Sequence, residues 1–224
     1  MLDNLWQDTR YGVRVLLKRP AFAAVAILTL ALGIGVNTAI FSVVNSVLLA
    51  PLPYEKIDEL IVIMKTAVSP KVDNGPESVP NLIDLQQQNH SFEQIAASRL
   101  QQFVLTDGDQ PERVGGARVA ANIFSLLRIS PAVGRNFVPS EDQPSATPVA
   151  IISHNLWQQR YGGDPRIIGQ RVTIDGQPYT LVGVLPAGIY YPTPETNVYI
   201  PLVFQPKEIL RGAAFLRVIG RLKT

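Results

Sequence analysis

The hydrophobic pattern of this chain opens with one long apolar run. Between Arg19 and Glu55 no side chain is charged, and residues 21–50 are dense in Ala, Leu, Ile and Val. A helix needs roughly 20 such residues to cross a bilayer. A cleavable signal peptide carries an apolar region of only about 7–15 residues, so the run predicts an uncleaved transmembrane helix over 21–50. About 30 helical residues measure roughly 45 Å, against a hydrocarbon core of roughly 30 Å. The polar-dotted end, residues 37–46, is therefore expected to continue beyond the bilayer as a stalk. Pro51 and Pro53 then stop the helix and favour an extended linker.

Ahead of the span, Leu2, Leu5, Trp6, Val13, Leu16 and Leu17 recur at helical spacing, with Asp3, Arg10, Arg14 and Lys18 largely on another side. This predicts an amphipathic helix over 1–20 lying on the cytoplasmic surface. Trp6 would sit at headgroup depth, with Arg10, Arg14, Lys18 and Arg19 at the membrane interface. The alternatives are a solvated lead-in and an apolar face covered by a partner protein. After the span, Glu55, Asp58 and Glu59 outnumber Lys56. Positive residues stay inside, which places the N-terminus in the cytoplasm and residues 51–224 on the periplasmic or extracellular side. Within the span, Ala31, Gly35, Thr38, Ser42 and Asn45 follow one another at helical spacing as a stripe of small or polar groups. Such stripes let helix backbones approach closely. The alternative is a lone anchor that happens to be rich in Ala.

Beyond residue 54 the pattern alternates between short β-branched runs and turn residues. Residues 60–64 (LIVIM) predict a buried strand, and Ser78 or Asn81 caps a short helix through Leu82 and Leu85. Residues 92–105 and 112–120, separated by Asp107-Gly108-Asp109, predict a hairpin. Residues 122–127 allow one or two helical turns, and the Pro- and Ser-rich stretch 130–148 is the expected seam between two lobes. Residues 149–152 predict a strand, and Ser153 caps a helix that ends at Gly162-Gly163. Asp175-Gly176 predicts a second hairpin between 170–174 and 179–184. Residues 199–202 read as an edge strand, and 215–222 start another strand just before the chain stops.

Composition narrows the chemistry. A formal net charge of +2 argues against a strongly basic nucleic-acid binder, so no nucleic-acid partner is expected. The absence of Cys removes disulfides, thiolate zinc sites and Cys nucleophiles. Ser153-His154 invites a hydrolase reading, but there is no Gly-x-Ser-x-Gly elbow and a capping Ser explains the pattern better. Gly33-Ile34-Gly35 lies in the span and lacks the strand and third glycine of a dinucleotide loop. Asp107, Asp109 and Glu112 fit a solvated hairpin rather than a calcium loop. No Gly-x-x-x-x-Gly-Lys-Ser/Thr sequence occurs, so ATP-driven work would need a motor supplied by another protein. Tyr190, Tyr191, Pro192 and Pro194 make either a contact surface or an ordinary packed loop. No catalytic residue, cofactor or metal site is assigned, and the chain is not read as an enzyme.

Residues 30–45 (LALGIGVNTAIFSVVN), followed by Leu49-Ala50-Pro51-Leu52-Pro53-Tyr54, resemble the first membrane helix of MacB-like ABC transporter permeases. The resemblance is strongest to the ATPase-less, acidobacterial type. It extends through Trp6-Gln7-Asp8, Arg10-Tyr11-Gly12, residues 119–124 (VAANIF), Ile151-Ile152-Ser153 and Leu156-Trp157. Gly162-Gly163-Asp164-Pro165, Ile174-Asp175-Gly176, Val182-Gly183-Val184 and Gly220-Arg221-Leu222-Lys223 complete the series.

The resemblance implies an α+β class: an N-terminal transmembrane helix, then a two-lobed mixed α/β extracytoplasmic domain, the MacB-like periplasmic core domain, over 51–224. Lobe 1 would comprise about 55–120 and 213–224, and lobe 2 about 121–212. The family's further membrane helices are absent, so the chain reads as a truncated permease. The implied function is a permease subunit of a MacB-like ABC transporter in the plasma (inner) membrane, coupling a separate ATPase to its exported domain for efflux or mechanical transmission. Its partners would be membrane lipid, other permease helices or a second permease copy, and a separate ABC ATPase subunit. The alternative is a stand-alone membrane-anchored extracytoplasmic binding or sensor domain.

Overall fold

A computed structural model describes residues 10–11, 14, 18–44, 54–65, 75–108 and 110–223. The chain divides into two units, residues 1–52 and 53–224. The expectations for Trp6 and the apolar residues around it, for Val13, Leu16 and Leu17, and for Asn45, Pro51, Pro53 and Asp109 lie outside the described residues.

In the first unit, α1 (Pro20–Val44) is one uninterrupted helix of 25 residues. Residues Pro20–Ser42 are long and apolar enough to cross a membrane. Val25, Ile27, Leu28, Leu30 and Leu32 are all exposed, on several sides of the helix. A helix that is apolar all round suits a membrane or a protein interior rather than water. Thr29 does not interrupt it, because its hydroxyl donates to the Val25 carbonyl one turn earlier (2.8 Å).

Among the described residues the second unit has ten strands: β1 (Leu60–Ile63), β2 (Glu77–Ser78), β3 (Phe92–Leu105), β4 (Glu112–Val119), β5 (Val133–Gly134), β6 (Val149–Ile152), β7 (Arg171–Ile174), β8 (Gln177–Val184), β9 (Val198–Pro201) and β10 (Ala214–Leu222). Four of its connections carry the helical elements that matter here. They are α2 (Val79–Gln87), α3 (Ile123–Leu126), α4 (His154–Tyr161) and a 3-10 turn at Pro206–Glu208. The strand order is β1-β10-β3-β4-β9-β6-β8-β5, with β2 also on β10 and β7 bridging β3 and β8.

That bridge closes half of the sheet on itself. β3, β4, β9, β6, β8 and β7 pair in turn, and β7 returns to β3 through Leu105 and Ile174. Alternate residues of these strands, including Phe103, Leu105, Val114, Ile152, Val172, Ile174, Leu181 and Val198, form one buried cluster with Leu156 of α4. Gly116 makes the packing possible, since a Cβ there would collide with the Phe103 ring and the Val198 carbonyl. The other half stays open as β1-β10-β3. Because side chains alternate across a strand, Ala97 and Val218 pack with Val79 and Leu82 of α2. Ala96 and Ile219 face the opposite way, toward Ile123, Phe124 and Leu126 of α3.

Local signals hold well. Ser78 and Ser153 cap α2 and α4 by accepting from Asn81 N and Leu156 N, and Gly162 ends α4 in the left-handed conformation (φ 60°). Asp175 (φ 49°) and Gly176 (φ 75°) form the turn between β7 and β8. Two expectations fail. β1 is not buried: it is the edge strand, with Ile61 and Val62 exposed. β9 is not an edge: all four residues are buried, and it joins β4 in parallel to β6 in antiparallel. A short apolar run fits either position, and only pairing with distant strands decides between them.

Candidate coupling junction

The first described segment of the second unit, residues 54–59, is held by β10. Arg221 of β10 has 1% of its side chain exposed. An unpaired guanidinium at such a depth is strongly unfavourable, and here every arm of its fork has an acceptor. Nε donates to the Leu126 carbonyl at the end of α3 (2.7 Å). Nη2 donates to the Glu55 carbonyl (3.2 Å) and Nη1 to the Lys56 carbonyl (3.3 Å). Nη1 also meets the Glu59 carboxylate (2.9 Å). One rigid planar group thus joins residues 55–59, α3 and β10.

Glu59 gathers the remaining charges. It accepts from Lys56 Nζ (2.8 Å) and from Arg128 Nη2 (3.4 Å) as well as Arg221. The Lys56 ammonium, and behind it the Arg221 guanidinium, hold the Glu59 carboxyl below its ordinary range against an opposing effect of desolvation. Lys56 (φ 49°) and Arg128 (φ 57°) both adopt left-handed backbone to make these turns. Immediately afterwards Leu60 pairs with Arg221 itself in the β1–β10 ladder. Tyr54 adds a further tie, its hydroxyl donating to the Tyr190 carbonyl (2.8 Å). Next to it Tyr191 is buried, its hydroxyl bonded to Ser98 Oγ (3.0 Å) and pushed up to about 12 by burial. The aromatic loop is therefore packed at Tyr191 and open at Tyr190.

The residues singled out in the sequence lie elsewhere. Ala31, Gly35, Thr38 and Ser42 are exposed along α1, and a Cβ added at Gly35 meets nothing within 4 Å. Arg10, Arg14, Lys18 and Arg19 are exposed. Ser153 Oγ donates to Asn197 Oδ1 (2.7 Å) while accepting from Leu156 N, so the hydroxyl is committed to structure. Its neighbour His154 lies edge-on to Trp157. Asp107 and Glu112 are taken by Arg160 (2.9 and 2.6 Å), and Asp107 also by the Tyr161 hydroxyl. Among the described residues no group of three or more His, Cys, Asp or Glu is placed to hold a metal ion. Arg221 escaped the sequence reading as a functional residue. The available signal was its position four residues after Arg217, on the same strand face of an otherwise apolar segment.

The chain also matches a known family profile. The MacB-like periplasmic core domain covers residues 23–223. The chain belongs to this family. Solved structures agree on the fold. The periplasmic region of MacB from Actinobacillus actinomycetemcomitans superposes with a TM-score of 0.57 at 12% identity, over 75% of this chain and 78% of that one. The extracellular domain of YknZ, a noncanonic ABC-type transporter from Gram-positive bacteria, gives 0.51 at 14% identity, over 74% and 84%. No curated protein matches. The resemblance to MacB-like permeases drawn from the sequence is thus borne out for family and for mixed α/β fold. The chain combines a MacB-like periplasmic core domain with an N-terminal apolar helix.

Proposed function

We propose that this chain is the first membrane-anchored part of a MacB-like permease, and that it passes movement from a separate ATPase to its exported domain. In this reading residues 1–20 lie on the cytoplasmic surface, 21–50 span the plasma membrane, and 51–224 form the exported domain. Arg10, Arg14, Lys18 and Arg19 hold the N-terminal side, and the stripe of Ala31, Gly35, Thr38, Ser42 and Asn45 packs against other permease helices or a second copy. The observation that carries the reading is the Arg221 junction. A displacement of residues 55–59 is delivered through hydrogen bonds to β10 and α3 rather than lost in a slack linker. The work is mechanical, done by contacts that differ between two states.

A second reading, an anchored binding or sensor domain, is favoured by an open hollow of about 620 Å³ between β1 and α2, lined by Met64, Glu77, Asn81, Asp84 and His90 among others. The test is purification of the tagged full-length chain from its native membranes. The expected result is a bound P-loop ATPase and additional permease helices, both reduced by Gly35→Leu. In the recovered complex Arg221→Met is expected to slow ATP turnover without releasing the ATPase. A chain that purifies with neither partner would leave the anchored binding domain as the better account.

A further inference from the structure

On the side of β3 and β4 that carries Arg99 and Arg118, the unit has a second polar feature, independent of the junction. These two arginines stand directly opposite one another in the β3–β4 ladder. Like charges in that arrangement destabilise a sheet, so the fold holds them together at a cost. They line a hollow of about 250 Å³ with Gln101, Lys207, Glu208 and Phe215. Three cations face one carboxylate there.

Glu208 shows how the hollow receives a carboxylate. One of its oxygens accepts from Arg99 Nη1 (2.7 Å) and the other from the Gln205 N–H (2.9 Å). The Arg99 guanidinium also lies 4.6 Å from the centre of the Phe215 ring, which fixes its plane. Arg118 is in a different condition. Its Nε donates to Gln101 Oε1 (3.0 Å), and among the described residues it forms no salt bridge. Its two Nη groups keep the fork geometry that matches a carboxylate in two parallel bonds. Lys207 supplies a further positive charge at the same hollow.

We propose that this hollow binds a carboxylate ligand, gripped by Arg118 and Lys207, with its carbon skeleton against Phe215. The hollow is smaller than the roughly 300–1,000 Å³ of drug-sized sites, which suits a short organic diacid or the end of one acidic side chain. Both sources present the same chemistry, and the experiment separates them.

The full-length chain in detergent is titrated with glutarate by calorimetry and with a fluorescein-labelled tetraglutamate peptide by anisotropy. Saturable binding of one or both probes, weakened by salt, is expected, and the probe that binds identifies the source. Arg118→Gln is expected to weaken it by about ten-fold or more, the loss of a charge-assisted pair. Its thermal midpoint should hold or rise, because the opposed charges are relieved. Arg113→Gln, the same change of charge at an exposed position of β4, should leave affinity unaltered. Lys207→Gln on the 3-10 turn is the second variant, expected to weaken binding several-fold even if Arg118→Gln fails to fold. Absence of saturable binding by both probes, or equal losses in the Arg113 and Arg118 variants, would overturn the proposal.

Discussion

Arg221 and Glu59 show what a single residue can carry in this fold. Only 1% of the Arg221 side chain is exposed, and its charge is tolerated because four acceptors from two segments, residues 55–59 and the end of α3, surround it. The carboxylate that completes the set titrates below its ordinary value of 4.5. A carboxyl whose pKa is lowered by folding contributes stability at pH above the unfolded value, and that contribution disappears as pH falls through the folded one. The wild-type melting temperature should therefore decline from about pH 4.5 downward in part through Glu59. Glu59→Gln should melt lower at neutral pH and approach the wild type in acid, as followed by circular dichroism across pH 3–7. Beyond the placing of Arg221 in an otherwise apolar segment, this network was not legible in the sequence. A charged residue in a strand reads as a solvent position, and its three backbone acceptors lie 95 or more residues away.

At the scale of elements, signals confined to neighbouring residues were readable and signals that depend on pairing were not. Ser153 announces α4 because a cap needs only the next three residues. Ser153→Ala removes that bond and the one to Asn197, and is expected to cost about 1–2 kcal/mol. Thermal denaturation should register this as a fall of roughly 2–8 °C in Tm. Asp175-Gly176 announces its hairpin in the same local way, through positive φ at both positions. β1 and β9 show the limit. Both are short apolar runs, yet one ends the sheet and the other sits between two strands with every residue buried. β1 is placed by β10, and β9 by β4 and β6, in each case partners remote from it in the chain. The apolar helix α1 needed no such help, since its length and composition alone make it recognisable.

At the scale of the second unit, half of the sheet closes on itself and the other half stays open, and β3 serves both by its length of 14 residues. Closure leaves no free strand edge in the ring, whereas β1 ends the open half. Hydrogen exchange of the full-length chain should therefore place the β10 and β3 amides among the slowest, with the outward-facing amides of β1 exchanging much sooner. Equal protection of β1 and β10 would contradict the strand order. The central place of β10 has a further consequence for biogenesis. The ribosome makes β1 and β3 long before Ala214, and until β10 emerges each lacks the neighbour that lies between them. A nascent chain in that condition presents two unmatched edges at once, so its assembly must wait for β10 to be synthesised, and a holding chaperone on the side where it folds would protect it during that interval.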